Sequence, residues 1–460
     1  MSTRRPTSLR SLVSRIADEL KAQIQAGGLP AGARLPSVRQ LARERNISPF
    51  SAAEIYNALV AAAVVEARAG SGYFVPPHVR AATEAVPRPE FPTDSVWERR
   101  REASARPIEV DAGCGWLPGG WLHEDGVRAA MRALARQSAL RLQGYGNSLG
   151  LSELRGHIAK LLELRGISAC EDRIVLTQGA SQGLDLVVRE CLKPGDAAIV
   201  EDPGYPPLFE LLRYRGVRML AVPRTDNGPD TDALARLLRR TRVRCLFTNT
   251  TFHNPTGTTT SSATAHRILE LADRYDLTLI EDDIFADLAP RAQLTLASLD
   301  ELQRVIYVSS FSKTLSPALR AGYLVAPAAW AQKLARAKVM TSLGSSELLE
   351  QLVLQILTHG RYRRHLRRLH ERLAATHARV AQSFEAKGVE LAFRPQSGLF
   401  LWATLPSKDS VGKLWRRALS EGVLLAPGEL FRPDGRATPQ WRFNVAHSDA
   451  PALYRFLEGL

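Results

Sequence analysis

The sequence predicts an α/β protein that carries a small helical block at its N-terminus, and three observations predict it. Leu12, Ile16, Leu20 and Ile24 recur every fourth residue, the spacing of one apolar helix face. From about residue 108 onward, apolar strand-like runs alternate with helical patterns, which is the order of an α/β domain. Between the two zones lies a stretch containing Pro77, Pro87, Pro89, Pro92 and Pro107, a composition that gives a semi-rigid, extended connection. The expected units are a helical block over 8–76, a linker over 77–107 and an α/β domain over 108–455.

A length of 460 residues suits two to three domains at about 150 residues each. The net charge is +14, and residues 1–80 hold eleven Lys/Arg against five Asp/Glu, so the excess is densest at the N-terminus. That balance favours an anionic partner, nucleic acid or phosphate. Cys114, Cys170, Cys191 and Cys245 form no C-x-x-C pair, which argues against a disulfide framework or a structural metal site and suits a reducing, cytoplasmic setting. No metal site is expected. The polar, basic start lacks an apolar run behind it, so no secretory signal is expected, and no run reaches the ~18 apolar residues of a membrane helix.

Within the block, Gly27, Gly28 and Pro30 end the first helix. Ser37-Val38-Arg39-Gln40 reads as a capping box that opens a short second helix, with Leu41 facing inward. Asn46-Ile47 makes a turn. Ser48 caps a third helix, and Pro49 takes its first position, where a missing N–H costs nothing. Ala52, Ile55, Tyr56 and Leu59 form that helix's buried face. Strands over 64–68 and 73–75 then flank a Gly-rich turn, which reads as a wing. Two helices joined by so tight a turn form a helix-turn-helix, whose second helix meets base edges while flanking groups grip phosphates. The alternative is a small helical docking domain.

The segments Leu35-Pro36-Ser37-Val38-Arg39-Gln40-Leu41-Ala42, Ile47-Ser48 and Ala67-Arg68-Ala69-Gly70-Ser71-Gly72-Tyr73-Phe74-Val75 resemble the winged helix of GntR-type bacterial regulators. The resemblance implies DNA contacts at Arg39, Ser48, Phe50, Ser51 and Gly70. Pro49 and Ala53 stand where some relatives carry basic residues.

In the α/β zone, five polar clusters follow apolar runs directly. Strand 174–177 ends in Gln178-Gly179-Ala180-Ser181 and enters a helix. Strand 197–200 ends near Tyr205, strand 244–248 near Asn254, strand 278–281 at Asp282, and strand 305–308 in Ser309-Ser310-Phe311-Ser312-Lys313. Ligands of open α/β sheets bind beyond the carboxyl ends of strands, so these five ends can converge on one ligand. A lysine there can form a Schiff base with an aldehyde, and an acid can pair with a pyridine nitrogen. A Gly-Ala-Ser turn at a helix N-terminus offers N–H groups to a phosphate, joined by Ser310, Ser312 and Arg320. Tyr205 can stack on a ring. Taken singly each feature has a plain structural reading, since Asn-Pro-Thr-Gly is also a good β-turn. Together they describe pyridoxal 5′-phosphate.

Residues Ser309 to Tyr323 are similar to the Schiff-base loop of the fold-type I aminotransferases, and the resemblance covers about 108–455. It implies a PLP-dependent transferase domain with a mostly parallel central sheet and a smaller C-terminal subdomain. It further implies Lys313 as the Schiff-base lysine, Ser310 and Arg320 on the phosphate, Asn254 on the phenolic oxygen and Asp282 on the ring nitrogen. Tyr145 would reach the phosphate of a neighbouring subunit, hence a homodimer. Arg442, in Trp441-Arg442-Phe443-Asn444, would clamp a carboxylate, a task that suits a planar fork of donors. Two departures stand out. Phe285 replaces a tyrosine that usually bonds the phenolic oxygen, which is expected to raise the Schiff-base pKa; titrating the visible band of Phe285→Tyr reads this out, and an unchanged pKa would refute it. His253 stands where glutamine is commoner. Trp116 and Gly398 are further positions expected to shape the pocket.

A GntR-like winged helix, a Pro-rich linker and an aminotransferase-like domain in this order resemble the MocR-type regulators. The implied function is a PLP-dependent transcription regulator whose DNA operator binding responds to a small amine or amino acid, or to the cofactor itself. The alternative is a working aminotransferase with an N-terminal extension.

Overall fold

Short, near-continuous apolar runs give a strand two buried faces, and the central strands of this chain are built that way. The structure is a computed structural model that describes residues 8–25, 28–30, 32–62, 64–68, 71–76, 107–136 and 144–460. The chain divides into two compact units, Met1–Thr93 and Asp94–Leu460. Of the stretch read as a linker, only Pro107 falls among the described residues, and Gly70 lies outside them.

In the first unit, helices α1 (Ser8–Gln25), α2 (Val38–Glu44) and α3 (Pro49–Ala61) precede an antiparallel hairpin of β1 (Glu66–Arg68) and β2 (Gly72–Phe74). Ile16, Leu20, Ile24, Leu41, Ala52, Ile55, Tyr56 and Leu59 are buried in one core, as their spacing predicts. Tyr56 stacks on Tyr73 of the hairpin at 4.1 Å, which ties the wing to the third helix. Ser37 caps α2, accepting from Gln40 N at 3.2 Å. The reciprocal half of the expected capping box is replaced: the Gln40 side chain donates instead to Glu44 at 2.8 Å. Ser48 caps α3, accepting from Ser51 N at 3.1 Å.

In the second unit, β3 (Val110–Asp111) comes first, followed by the eight strands of the main sheet. These are β4 (Ile174–Thr177), β5 (Ala197–Asp202), β6 (Arg218–Thr225), β7 (Gly228–Pro229), β8 (Cys245–Thr248), β9 (Thr278–Asp282), β10 (Val305–Ser310) and β11 (Gly322–Val325). Their order is β4-β11-β10-β9-β8-β5-β6-β7, with β5, β6, β8, β9 and β10 paired in parallel. β11 enters antiparallel between β4 and β10. Ile199, Leu246, Leu279 and Val305 pack on one face of the sheet, and Val200, Phe247, Ile280 and Ile306 on the other. Each side is closed by helices. The remaining strands are β12 (Glu390–Leu391), β13 (Phe400–Thr404), β14 (Val423–Leu424), β15 (Ala426–Pro427) and β16 (Gln440–Asn444). All but β14 form a second, antiparallel sheet, which packs with the long helix Arg361–Ala386 around a core of its own. β14 pairs with β3. This is the mostly parallel sheet with a smaller C-terminal subdomain that the sequence predicts. No described helix is long and apolar enough to cross a membrane.

Candidate cofactor site

The carboxyl ends of β4, β5, β8, β9 and β10 open on a cavity of about 560 Å³, within the range of small-molecule sites. Ser310 lines it from the last position of β10, and Ser312, Lys313 and Arg320 from the loop that follows. Ala180 and Ser181 line it from the start of the helix Ala180–Cys191, Tyr205 and Asn254 from the loops after β5 and β8, and Arg442 from β16. Nine of the residues singled out in the sequence therefore meet here. Trp116 also lines the cavity and Gly398 does not, so only the first of those two shapes it. Tyr145 lies elsewhere, 75% exposed.

One end of the cavity is built for an anion. The helix Ala180–Cys191 starts from Gly179 with no side-chain cap, so its first N–H groups have no intrahelical partner. Gly179 has φ +79°, and a Cβ there would stand 2.7 Å from Arg320 Nη2. The positive φ favours glycine, and a side chain here would push the guanidinium away from the helix start. Arg320 Nη2 donates to Gln178 O at 3.2 Å. Ser310 Oγ lies 2.8 Å from Ser312 Oγ and donates to Ala321 O at 3.0 Å, which fixes both hydroxyls at the cavity wall.

At the centre, Lys313 Nζ donates to Gly115 O at 2.6 Å and lies 5.5 Å from the Phe285 ring centroid. Phe285 is buried edge-on against Phe400, so a carbon edge stands where a phenol is usual in the family it resembles. Asp282 lies at the foot of the cavity, in a crevice shared with Tyr205 and Asn254. Burial pushes its carboxyl up to about 7, with Lys313 pulling the other way. A carboxylate so placed lacks a full counter-charge, which a protonated ring nitrogen would supply. Arg442 donates to Asn254 Oδ1 at 2.8 Å and to Gly113 O. Arginine has donors only, so the Asn254 oxygen must face it and the amide N–H₂ turns elsewhere.

Below the cavity runs a buried network that sequence reasoning missed. Arg224 of β6 pairs with Glu201 of β5, and both are buried. Glu201 also accepts from Thr248 Oγ1 and Asn249 N at 3.0 Å each. His253 Nε2 lies 3.2 Å from Glu201, and its Nδ1 lies 2.9 Å from Thr256 Oγ1. Burial works to raise the Glu201 pKa, but Arg224 and His253 hold it down at about 2. Burial and Arg224 press the His253 pKa down to about 4, so its ring is neutral. Asn249 Nδ2 donates to Asp282 O at 2.7 Å and its Oδ1 accepts from Asn254 N at 2.8 Å. The network thus sets the backbone of two cavity residues. Four elements contribute, so no local motif announces it.

In the first unit, Arg39 is exposed on α2 and Phe50 is 73% exposed at the start of α3. Ser48 is exposed at the cap. Ser51 is buried, with its hydroxyl 3.0 Å from Ser48 Oγ, so it supports the cap rather than facing outward with the other three.

Residues 12–75 match the family of bacterial regulatory proteins, gntR family, and residues 113–460 match aminotransferase class I and II. The HTH-type transcriptional regulator YdcR of Escherichia coli is 30% identical over 94% of both chains. The chain belongs to the MocR-type regulators of the gntR family. It is a PLP-dependent transcription regulator. The 2-aminoadipate transaminase of Thermus thermophilus is 34% identical over 72% of this regulator and 83% of its own length. A solved structure of LysN, the α-aminoadipate aminotransferase of the same organism, complexed with N-(5′-phosphopyridoxyl)-L-leucine, matches 78% of the regulator and 94% of its own chain. The TM-score is 0.71 and the identity 28%. The cofactor is pyridoxal 5′-phosphate. The cavity fits it, since an anion cradle that a Cβ at Gly179 would crowd and the Lys313 amine lie around one space, with the Asp282 carboxyl in the adjoining crevice that shares Tyr205 and Asn254.

Proposed function

We propose that the large unit is an amine sensor that governs DNA binding by a homodimer. In this reading Lys313 holds pyridoxal 5′-phosphate, and Ala180, Ser181, Ser310, Ser312 and Arg320, with Gly179 giving them room, hold its phosphate. Asp282 takes the ring nitrogen, Asn254 the phenolic oxygen and Tyr205 the ring face. When bound, the cofactor supplies an aldehyde carbon that condenses with primary amines. The effector is an amine or amino acid whose carboxylate meets Arg442. Tyr145, exposed on its own chain, is assigned to the partner's cavity. Arg39, Ser48 and Phe50 meet the operator, with Gly70 at the wing tip. The functional boundaries are 8–76, 77–107 and 108–455, and the setting is cytoplasmic.

One observation carries the reading. Lys313 and Arg442 both bond the short segment Gly113–Gly115, so an amine site and a carboxylate site meet on one stretch of backbone. Lys313 bonds Gly115 as a free amine, so that bond is absent while the lysine holds the cofactor and available once an effector amine displaces it, and a differential effect of this kind is what shifts a conformational equilibrium. The test is a gel shift on the chain's own upstream DNA, with cofactor, across a panel of amino acids. A shift that one amino acid alters, and that Lys313→Ala no longer lets it alter, supports the reading. No shift at low salt would overturn it.

A second reading, residual transamination, is favoured by the intact lysine, acid and arginine set. Conversion of an amino acid to its keto acid at catalytic turnover would establish it.

A further inference from the structure

A second cavity, of about 380 Å³, lies outside the cofactor site, between the start of the helix Glu124–Ala135 and the long helix Arg361–Ala386. Arg361, Arg364, Arg368 and Arg372 line it. Their spacing of three, four and four residues places them in one row on the helix. Like charges at such spacing destabilise a helix, so the row calls for neutralisation from outside it. The protein supplies little. Glu124 and Asp125 are the two carboxylates at the cavity, and Glu124 is also 3.8 Å from Arg128. Arg372 is committed to the protein, donating to Gly120 O at 3.3 Å and lying 4.2 Å from the Trp121 ring centroid. Among the described residues, Arg361, Arg364 and Arg368 have no carboxylate within 4.0 Å.

The floor is made of two imidazoles. His123 and His365 stack with ring centroids 4.7 Å apart. The His123 ring folds over Gly126, where a Cβ would overlap it at 1.9 Å. Burial depresses both rings, His365 to about 4 with His123 adding to the effect, so both are neutral, and the one N–H of His365 is spent on Thr314 O. His365 Nε2 bonds Thr314 O at 2.9 Å, and its neighbour Tyr362 bonds Thr314 Oγ1 at 2.8 Å. Thr314 is the residue after Lys313. The back wall of this cavity is therefore one hydrogen bond from the lysine loop.

We propose that this cleft binds a small phosphorylated metabolite, and that His365 conveys its occupancy to the Lys313 loop. Arginine forks bind phosphate bidentately, which suits a row of them around a concave site. A free small molecule fits better than a DNA backbone, because the space is a concave cleft of small-molecule size and Glu124 and Asp125 at its edge repel an extended polyanion. The binding claim stands apart from the amine-sensor reading: it can hold in a chain whose DNA affinity ignores amines.

The experiment is a calorimetric titration of pyrophosphate into the full chain loaded with pyridoxal 5′-phosphate, at ionic strength matched with chloride. The expected result is saturable binding at one site per chain, weakened at least ~10-fold in Arg364→Ala/Arg368→Ala, which removes two exposed side chains. The visible band of the bound cofactor shifts with the same midpoint. No saturable heat, or equal binding by the double variant, overturns the site. Saturation without movement of the visible band overturns the link through His365. If pyrophosphate fails to bind while the double variant loses affinity for operator duplex, the arginines grip DNA and the small-molecule site is wrong.

Discussion

The groups proposed to meet DNA stand on the surface of an apolar core, whereas the groups beneath the cofactor cavity, Glu201, Arg224, Asn249, Asn254 and Arg442, are buried and hold one another in place. Phe50 and Arg39 rest on helices whose inner faces are Ile55, Tyr56, Leu59 and Leu41. Asp282, Asn254 and Arg442 are instead tied to Asn249, Glu201 and Arg224 through hydrogen bonds within a water-poor interior. Surface groups act nearly independently, while members of a buried network do not. Substitutions in the first unit should therefore change one property at a time, and substitutions below the cavity should change several together.

The hardest test of that contrast is Arg224→Met. It strands the Glu201 carboxylate in the interior, and such a loss costs about 3–5 kcal/mol. Denaturant unfolding should show that loss together with weakened cofactor retention. A cost under about 1 kcal/mol would mean the pair is not held in the way described.

A pH series sharpens the same point. The Asp282 carboxyl is raised to about 7 in the folded chain, from 3.8 when unfolded, so the native state binds the extra proton between those values. Stability from this group is present below pH 4 and is lost as pH rises through 7, with a slope approaching about 1.4 kcal/mol per pH unit. His253, depressed to about 4, opposes it with a gain as pH rises towards 6.5. The informative quantity is the difference between the cofactor-free chain and its Asp282→Asn variant, in which the falling term should vanish. Equal slopes would sink the assignment.

In the first unit the expected effects are smaller and separable. Ser48→Ala removes the α3 cap and should cost about 1 kcal/mol of that unit's stability. The unfolding midpoint of the large unit should stay where it is. Phe50→Ala should cost under about 0.5 kcal/mol, as surface substitutions do. It should still lower operator affinity in a gel shift. Loss of stability without loss of affinity would reverse the role given to Phe50.

Much of this was legible because the chemistry follows local pattern. Polar clusters directly after apolar runs located the cavity, and cap residues located the helices of the first unit. The strand ends were placed one or two residues short, because β5, β9 and β10 continue through Glu201, Asp202, Asp282, Ser309 and Ser310, which look like loop until their burial is known. β11 was not evident: four residues directly after the lysine loop carry no turn signal of their own. Ser51 was placed facing DNA, yet it shares its helix face with Ile55 and is buried. The Glu201–Arg224 network was invisible for a different reason, since strand neighbours far apart in sequence leave no spacing to read.

The two bonds that Arg442 makes to Asn254 and Gly113 give the cavity the character of a latch. A carboxylate reaching the guanidinium competes with the two acceptors already there, so arrival loosens their hold. In the proposed reading, an amine without a carboxylate would condense with the cofactor's aldehyde carbon, freeing Lys313, and leave the latch closed. An amino acid would do both. Two ligands that differ by a single carboxyl group would then write different messages into the same backbone stretch, and a family of such sensors could change its meaning without changing its chemistry.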